Sequence, residues 1–179
     1  MTEDSDELLK LALQARRENR LADAKRHLEK AVNLCREADA TVDLAQALTR
    51  LGGIERDLGN NERSLKNYEE AAAIYRARGD AQRLAHTIRH VADINLDEGH
   101  LGRAEPCYRE ALTIYRNQEK VRPLDLANAI RGLALLRGQT GDAAEATSLW
   151  KEARVLYSAV DVQAGVDESS RQIARLEHL

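Results

Sequence analysis

Apolar residues recur at helical spacing along almost the whole chain. Leu84, Ile88, Val91 and Ala92 stand at i, i+4, i+7 and i+8 and share one face of a helix. Beyond Gly99, the residues Ala104, Tyr108, Ala111, Leu112 and Tyr115 form a second stripe of the same period. Charged and polar residues fill the other faces. The pattern predicts a pair of amphipathic helices, with Gly99-His100 as the break between them.

That pair is repeated. Leu48-Thr49-Arg50-Leu51-Gly52 aligns with Ile88-Arg89-His90-Val91-Ala92 at an offset of 40 residues, and with Ile130-Arg131-Gly132-Leu133-Ala134 after a further 42. Gly59, Gly99 and Gly141 share one column; Ser64, Ala104 and Ala146 share a small-residue column, and Ala71, Ala111 and Ala153 another. The chain has no Phe, five Tyr and one Trp, and all six aromatics fall in two columns. Tyr68, Tyr108 and Trp150 make the first; Tyr75, Tyr115 and Tyr157 make the second. Stepping back from the second unit reaches Leu28, Ala31 and Cys35, with Leu8, Leu11 and Ala12 upstream, so the first unit is a divergent copy.

Units are expected at about 5–39, 42–80, 82–120 and 124–161, in a single domain spanning 1–179. After them comes a lone amphipathic segment at about 162–178, with Val162, Val166, Ile173 and Leu176 near one face, read as a helix capping the last repeat. Asn60 or Asn61, Asp80 and Asp142 are placed to cap helices. Pro106 falls in the first turns of a helix, and Pro123 in a linker between units. Gly52, Ala92, Ala134 and Ala12 on first helices, and Ala71, Ala111, Ala153 and Ala31 on second helices, are the small residues that let backbones approach.

The columns resemble the tetratricopeptide repeat (TPR) family. Its pattern runs large apolar residue, Leu-Gly, turn Gly, then Ala, aromatic and Ala. Leu48, Leu51-Gly52, Gly59, Ser64, Tyr68 and Ala71 follow it, as do Ile88, Val91-Ala92, Gly99, Ala104, Tyr108 and Ala111. Ile130, Leu133-Ala134, Gly141, Ala146, Trp150 and Ala153 follow it again. The 40–42-residue spacing is similar to the longer-helix variety of kinesin light chains and bacterial regulators. The family's aromatic at the end of the first helix is absent, because Glu55, Asn95 and Arg137 stand there.

The resemblance implies an all-α fold, a right-handed α-α superhelix of four helix hairpins plus a C-terminal capping helix. It also implies an adaptor or scaffold that holds another protein's peptide or helix in a concave groove lined by first helices. On that face would stand Gln46, Thr49, Arg50, Gly53 and Arg56; then His86, Arg89, His90, Asp93 and Asp97; then Asn128, Arg131, Leu135 and Gln139. Forked donors such as Arg89, Arg131 and Asn128 suit carboxylates or extended backbone. The Lys and Asn clamp of the chaperone-tail readers is disfavoured, since Lys10 is the only first-helix lysine. A second reading, of a different class, is a homo-oligomer joined through the solenoid ends.

Composition narrows the rest. With 27 basic and 30 acidic residues the net charge is -3, so no nucleic-acid footprint is expected. No apolar run reaches membrane-spanning length, and Met1–Lys10 is acidic without a signal core, so a cytoplasmic protein is expected. Cys35 and Cys107 are expected to be reduced core residues. His86 and His90 have metal-ligand spacing with Asp93 and Asp97 beyond, but Thr87 stands where HExxH needs glutamate. No metal, cofactor or catalytic residue is therefore expected. Gly52-Gly53 reads as close packing within a helix, not as a phosphate cradle.

Ala92→Leu or Ala111→Leu should overpack a helix junction and cost about 1–3 kcal/mol. Thermal melting of each variant against the wild type checks the register, which an unchanged midpoint would refute.

Overall fold

The computed structural model describes residues 3–178. Among them are nine α-helices and no strand: α1 Glu3–Arg17, α2 Leu21–Glu37, α3 Thr41–Asp57, α4 Asn61–Arg78, α5 Ala81–Asp97, α6 Leu101–Arg116, α7 Pro123–Gln139, α8 Ala143–Ser158 and α9 Gln163–Glu177. The fold is an all-α repeat fold. It comprises two compact units, Met1–Thr87 and Ile88–Leu179, the boundary falling within α5.

In the first unit α1 packs on α2, α2 on α3, and α3 on α4. Leu28, Leu48, Ile54, Tyr68 and Tyr75 are buried at these junctions. In the second unit α6 packs on α7, α7 on α8, and α8 on α9. Tyr108, Tyr115, Ile130, Trp150 and Tyr157 form its interior. Both aromatic columns are thus core, and so is the small-residue set from Ala12 to Ala153.

The turns show why the first unit diverges without misfolding. Gly59, Gly99 and Gly141 follow first helices with φ of 78°, 76° and 83°, the left-handed region that glycine enters without strain. In the first unit Asn19 takes that position at φ 57°. Asparagine is among the few other residues that enter this region routinely. Asp39 and Asp161 do the same after second helices, at 52° and 55°, where Gly79 has 69°.

Two local expectations need correction. Asn60 does not cap α4 with its side chain; its Nδ2 donates to Glu55 Oε2 at 2.7 Å, and Asn61 lies inside the helix. Donating to the buried Glu55 orients the Asn60 side chain toward α3, and its oxygen accepts no hydrogen bond from the free N–H groups at the start of α4. Pro123 is not in a linker but opens α7, where its missing N–H would have been unpaired anyway. Asp80 and Asp142 do cap, accepting from the backbone N–H of Arg83 at 3.1 Å and of Glu145 at 3.0 Å. Cys35 is buried, as expected, whereas Cys107 is only partly so.

Helix α9 covers α8, with Ile173 and Leu176 buried as anticipated and a shift only at the start of the stripe. Gly165, Ser169, Ile173 and Leu176 are buried, while Val162 and Val166 are half-exposed. Gly165 explains the shift: a Cβ there would stand 2.4 Å from Tyr157 Cγ, so only glycine lets the helix close on that ring. Gly132 of α7 is equally tight, with a Cβ falling 2.3 Å from Tyr108 Cε1.

Gly132→Ala should therefore cost about 1–3 kcal/mol through overpacking. Gly138→Ala, in the same helix with nothing within 4 Å of the added Cβ, should be neutral or stabilise by up to about 1 kcal/mol. Urea unfolding of the pair separates crowding from helix propensity.

Candidate functional site

The residues anticipated on the first-helix face fall into two groups that behave differently. In the first unit, α3 carries Gln46, Thr49, Arg50, Gly53 and Arg56, all partly exposed. Thr49 is drawn inward: its hydroxyl donates to the Ala45 carbonyl at 2.8 Å. Arg50 makes no hydrogen bond or ion pair among the described residues. It lines a recess of about 30 Å³ together with Ala12, Leu13, Arg16, Leu28 and Ile54. Arg16 is held at its edge by Asp57, Nη2 to Oδ2 2.7 Å. Gly53 keeps the approach open, since a Cβ there would meet the Tyr68 hydroxyl at 3.4 Å and Arg16 Nη1 at 3.7 Å. His86 is partly exposed in the segment of α5 belonging to this unit.

In the second unit the same face is occupied by its own contacts. Arg89 is 9% exposed and donates through Nη1 to Asp93 Oδ2 at 2.5 Å. Asp93 Oδ1 accepts from the Tyr108 hydroxyl at 2.8 Å. Arg89 Nη2 lies 2.6 Å from His90 Nε2. Asn128 Oδ1 accepts from the Tyr157 hydroxyl at 2.8 Å. Arg131 grips Glu168 of α9 with both arms, Nε to Oε2 2.6 Å and Nη2 to Oε1 2.7 Å. Asp97 and Gln139 are exposed and Leu135 is half-buried.

Of the anticipated contact residues, then, Arg89, Asp93, Asn128 and Arg131 have partners within their own unit. Arg16 and Glu168 were not among them. In the sequence Arg16 reads as a solvated neighbour of Arg17, and only the seating of α1 beside α3 reveals it as a recess wall. Glu168 lies in the tail outside the repeat, where no column could flag it.

The column that lacks the usual aromatic is polar and buried. Glu55, 2% exposed, receives Lys25 Nζ at 2.8 Å and Asn60. Asn95 donates to the Val91 carbonyl at 2.8 Å. Arg137 pairs with Glu105, and with Glu145 at 2.7 Å. On the second-helix side a larger recess, about 220 Å³, has Leu112, Leu133 and Leu149 in its walls. Its rim arginines are taken: Arg109 by Glu105 at 2.9 Å and Arg116 by Glu152 at 2.9 Å.

Among the described residues no three His, Cys, Asp or Glu side chains gather as a metal site, and no helix is long and apolar enough to cross a membrane.

Residues 43–117 match the sequence model of the tetratricopeptide repeat. No curated protein matches the sequence. Among solved structures, BtubC (BKLC) from P. vanneervenii superposes with TM-score 0.80 at 21% identity, covering 88% of this chain and 64% of that one. The apo form of RapI gives 0.85 at 13% identity, covering 93% and 60%. A kinesin light chain protein of Podosopora anserina with nearly identical TPR-like repeats gives 0.73 at 14% identity, covering 99% and 97%. At these identities the likeness is one of fold, and the chain spans under two thirds of BtubC and of RapI.

Burial pushes the Tyr115 and Tyr157 hydroxyls up to about 12, from an ordinary value near 10. A raised acid favours the folded state while protonated, so this stability is complete below about pH 10 and is lost as pH climbs from about 10 to about 12. The loss should be on the order of 2 kcal/mol per tyrosine, read as a falling urea midpoint across that window. Tyr115→Phe should remove one late step from the absorbance titration at no cost in stability, since the Tyr115 hydroxyl is buried without a partner among the described residues.

Proposed function

We propose, from a chain whose residues 43–117 match the tetratricopeptide repeat model, a protein-binding adaptor or regulatory module that takes a peptide or helix on its first-helix face. Repeats of this family are generally protein-interaction modules. The observation that carries the reading here is Arg50, a half-buried guanidinium beside an apolar recess with no carboxylate of its own. A charge left in that condition on a folded surface is best matched by a partner that brings the counter-charge.

The second unit supports the reading differently. Its first-helix polar groups are locked by Tyr108, Tyr157 and Glu168, which makes a rigid platform rather than a set of free donors. Gln46 and Arg50 of the first unit are the side chains on this face assigned to the ligand; Arg56, later in α3, and His86, on α5, are also partly exposed. A cytoplasmic setting fits two cysteines that are both free thiols. No catalytic role is assigned to any residue.

Panning a phage-displayed library of random 12-residue peptides against the purified chain tests this. Enriched sequences should bind the wild type and lose at least tenfold in affinity on Gln46→Ala/Arg50→Ala. Equal binding by both would put the partner on another face. No enrichment, combined with a mass by light scattering that grows with concentration, would favour self-assembly instead.

A further inference from the structure

We propose that the rim of the recess between α1 and α3 is a subsite for one acidic side chain of a partner peptide, with an aliphatic neighbour of that side chain resting on Leu13. The inference rests on the peptide-binding reading above and specifies the chemistry of the peptide.

Three observations converge on it. The first is charge. Arg89, Arg131 and Arg137 each hold a carboxylate of this chain, with Asp93, Glu168 and Glu145 as partners. Arg50 holds none among the described residues. The second is the wall facing it. Arg16 is fixed by Asp57 at 2.7 Å through Nη2, while its Nη1 is the atom that looks onto the space over Gly53. Two guanidiniums less one carboxylate leave a single positive charge at the recess, which matches one Asp or Glu rather than a phosphate dianion.

The third is the floor. Leu28 and Ile54 are each 1% exposed, but Leu13 is 40% exposed, so an aliphatic edge is offered beside the two arginines. A volume of about 30 Å³ admits a methyl-sized group, not an aromatic ring. The larger recess on the second-helix side lacks this combination because its arginines are already paired.

The test uses four pools of fluorescein-labelled ten-residue peptides in a Gly/Ser background, read by anisotropy. Three have amidated ends and carry a central Leu-Glu, a central Leu-Gln or a central Leu-phosphoserine pair; the fourth ends in Leu with a free carboxylate. The Leu-Glu pool should bind at least tenfold tighter than the Leu-Gln pool. Arg50→Ala should remove that preference, and Arg16→Ala should reduce it several-fold. Arg50→Ala should also melt within a few degrees of the wild type, because Arg50 makes no hydrogen bond or ion pair among the described residues.

Equal binding of the Leu-Glu and Leu-Gln pools, or a preference that survives Arg50→Ala, overturns the subsite. So does tighter binding of the phosphoserine or free-carboxylate pool. If phage peptides bind on the first-helix face while these pools show no carboxylate preference, the subsite falls and the adaptor reading stands; if neither binds, both fall.

Discussion

The fold depends on how closely a tyrosine ring can be approached by the backbone of a neighbouring helix. Tyr108 and Tyr157 are large, nearly fully buried, and each meets a glycine where any Cβ would collide with the ring. Tyr68 is met by Gly52, whose added Cβ would lie 3.1 Å away. Each ring therefore fills the space between helices completely, which is what makes burial of an aromatic most stabilising. The hydroxyls of Tyr108 and Tyr157 must then find partners inside the protein. They find them on first helices: Asp93 for Tyr108 and Asn128 for Tyr157. Packing and hydrogen bonding are thus one constraint, and it decides which first-helix polar groups remain for a ligand.

A second constraint sits where the family pattern usually has an aromatic. In the first unit a lysine on α2 meets a glutamate on α3, Lys25 to Glu55. In the second unit a glutamate on α6 meets an arginine on α7, Glu105 to Arg137. Lys25 and Glu105 are two repeat lengths apart, and the signs are exchanged between the two places. Pairs of this sort contribute little net stability, because desolvation offsets most of the attraction, but Glu55, buried on α3, is costly to leave without Lys25. Exchanged signs mean that a helix of one unit set against its counterpart from the other would juxtapose like charges. The pairs therefore favour the native neighbour of each helix over its sequence-related copies.

Much of this was legible in the sequence, for a physical reason. A repeat presents the same core position several times, so Tyr68, Tyr108 and Trp150 vouch for one another, and the helix pairs and small-residue columns follow. Positions that serve the repeat with a different residue were not legible. Asn19, Asp39 and Asp161 adopt the left-handed turn that glycine marks elsewhere, but their types are ordinary in any polar loop. Side-chain partners far apart in sequence were hidden too: Arg131 and Glu168 are joined only because α9 folds back, and nothing in either residue names the other. On α9 the buried places of Ile173 and Leu176 were legible, but the start of the stripe was misread because valines suggested burial, whereas the decisive residue was the smallest, Gly165.

This difference between packing and partnering explains why a first-helix face read from sequence alone is two faces in the structure. Forked donors were valued there for what they could offer a ligand, yet a donor already satisfied at 2.5–2.7 Å offers only the exchange of one carboxylate for another. A peptide that reached Arg131 would have to displace Glu168, which is tethered to the same chain and so present at a high effective concentration. Arg50 has no such competitor. Affinity on this face should then follow the distribution of unused hydrogen-bonding capacity, not the distribution of arginines, and that puts its electrostatic centre on α3 of the first unit.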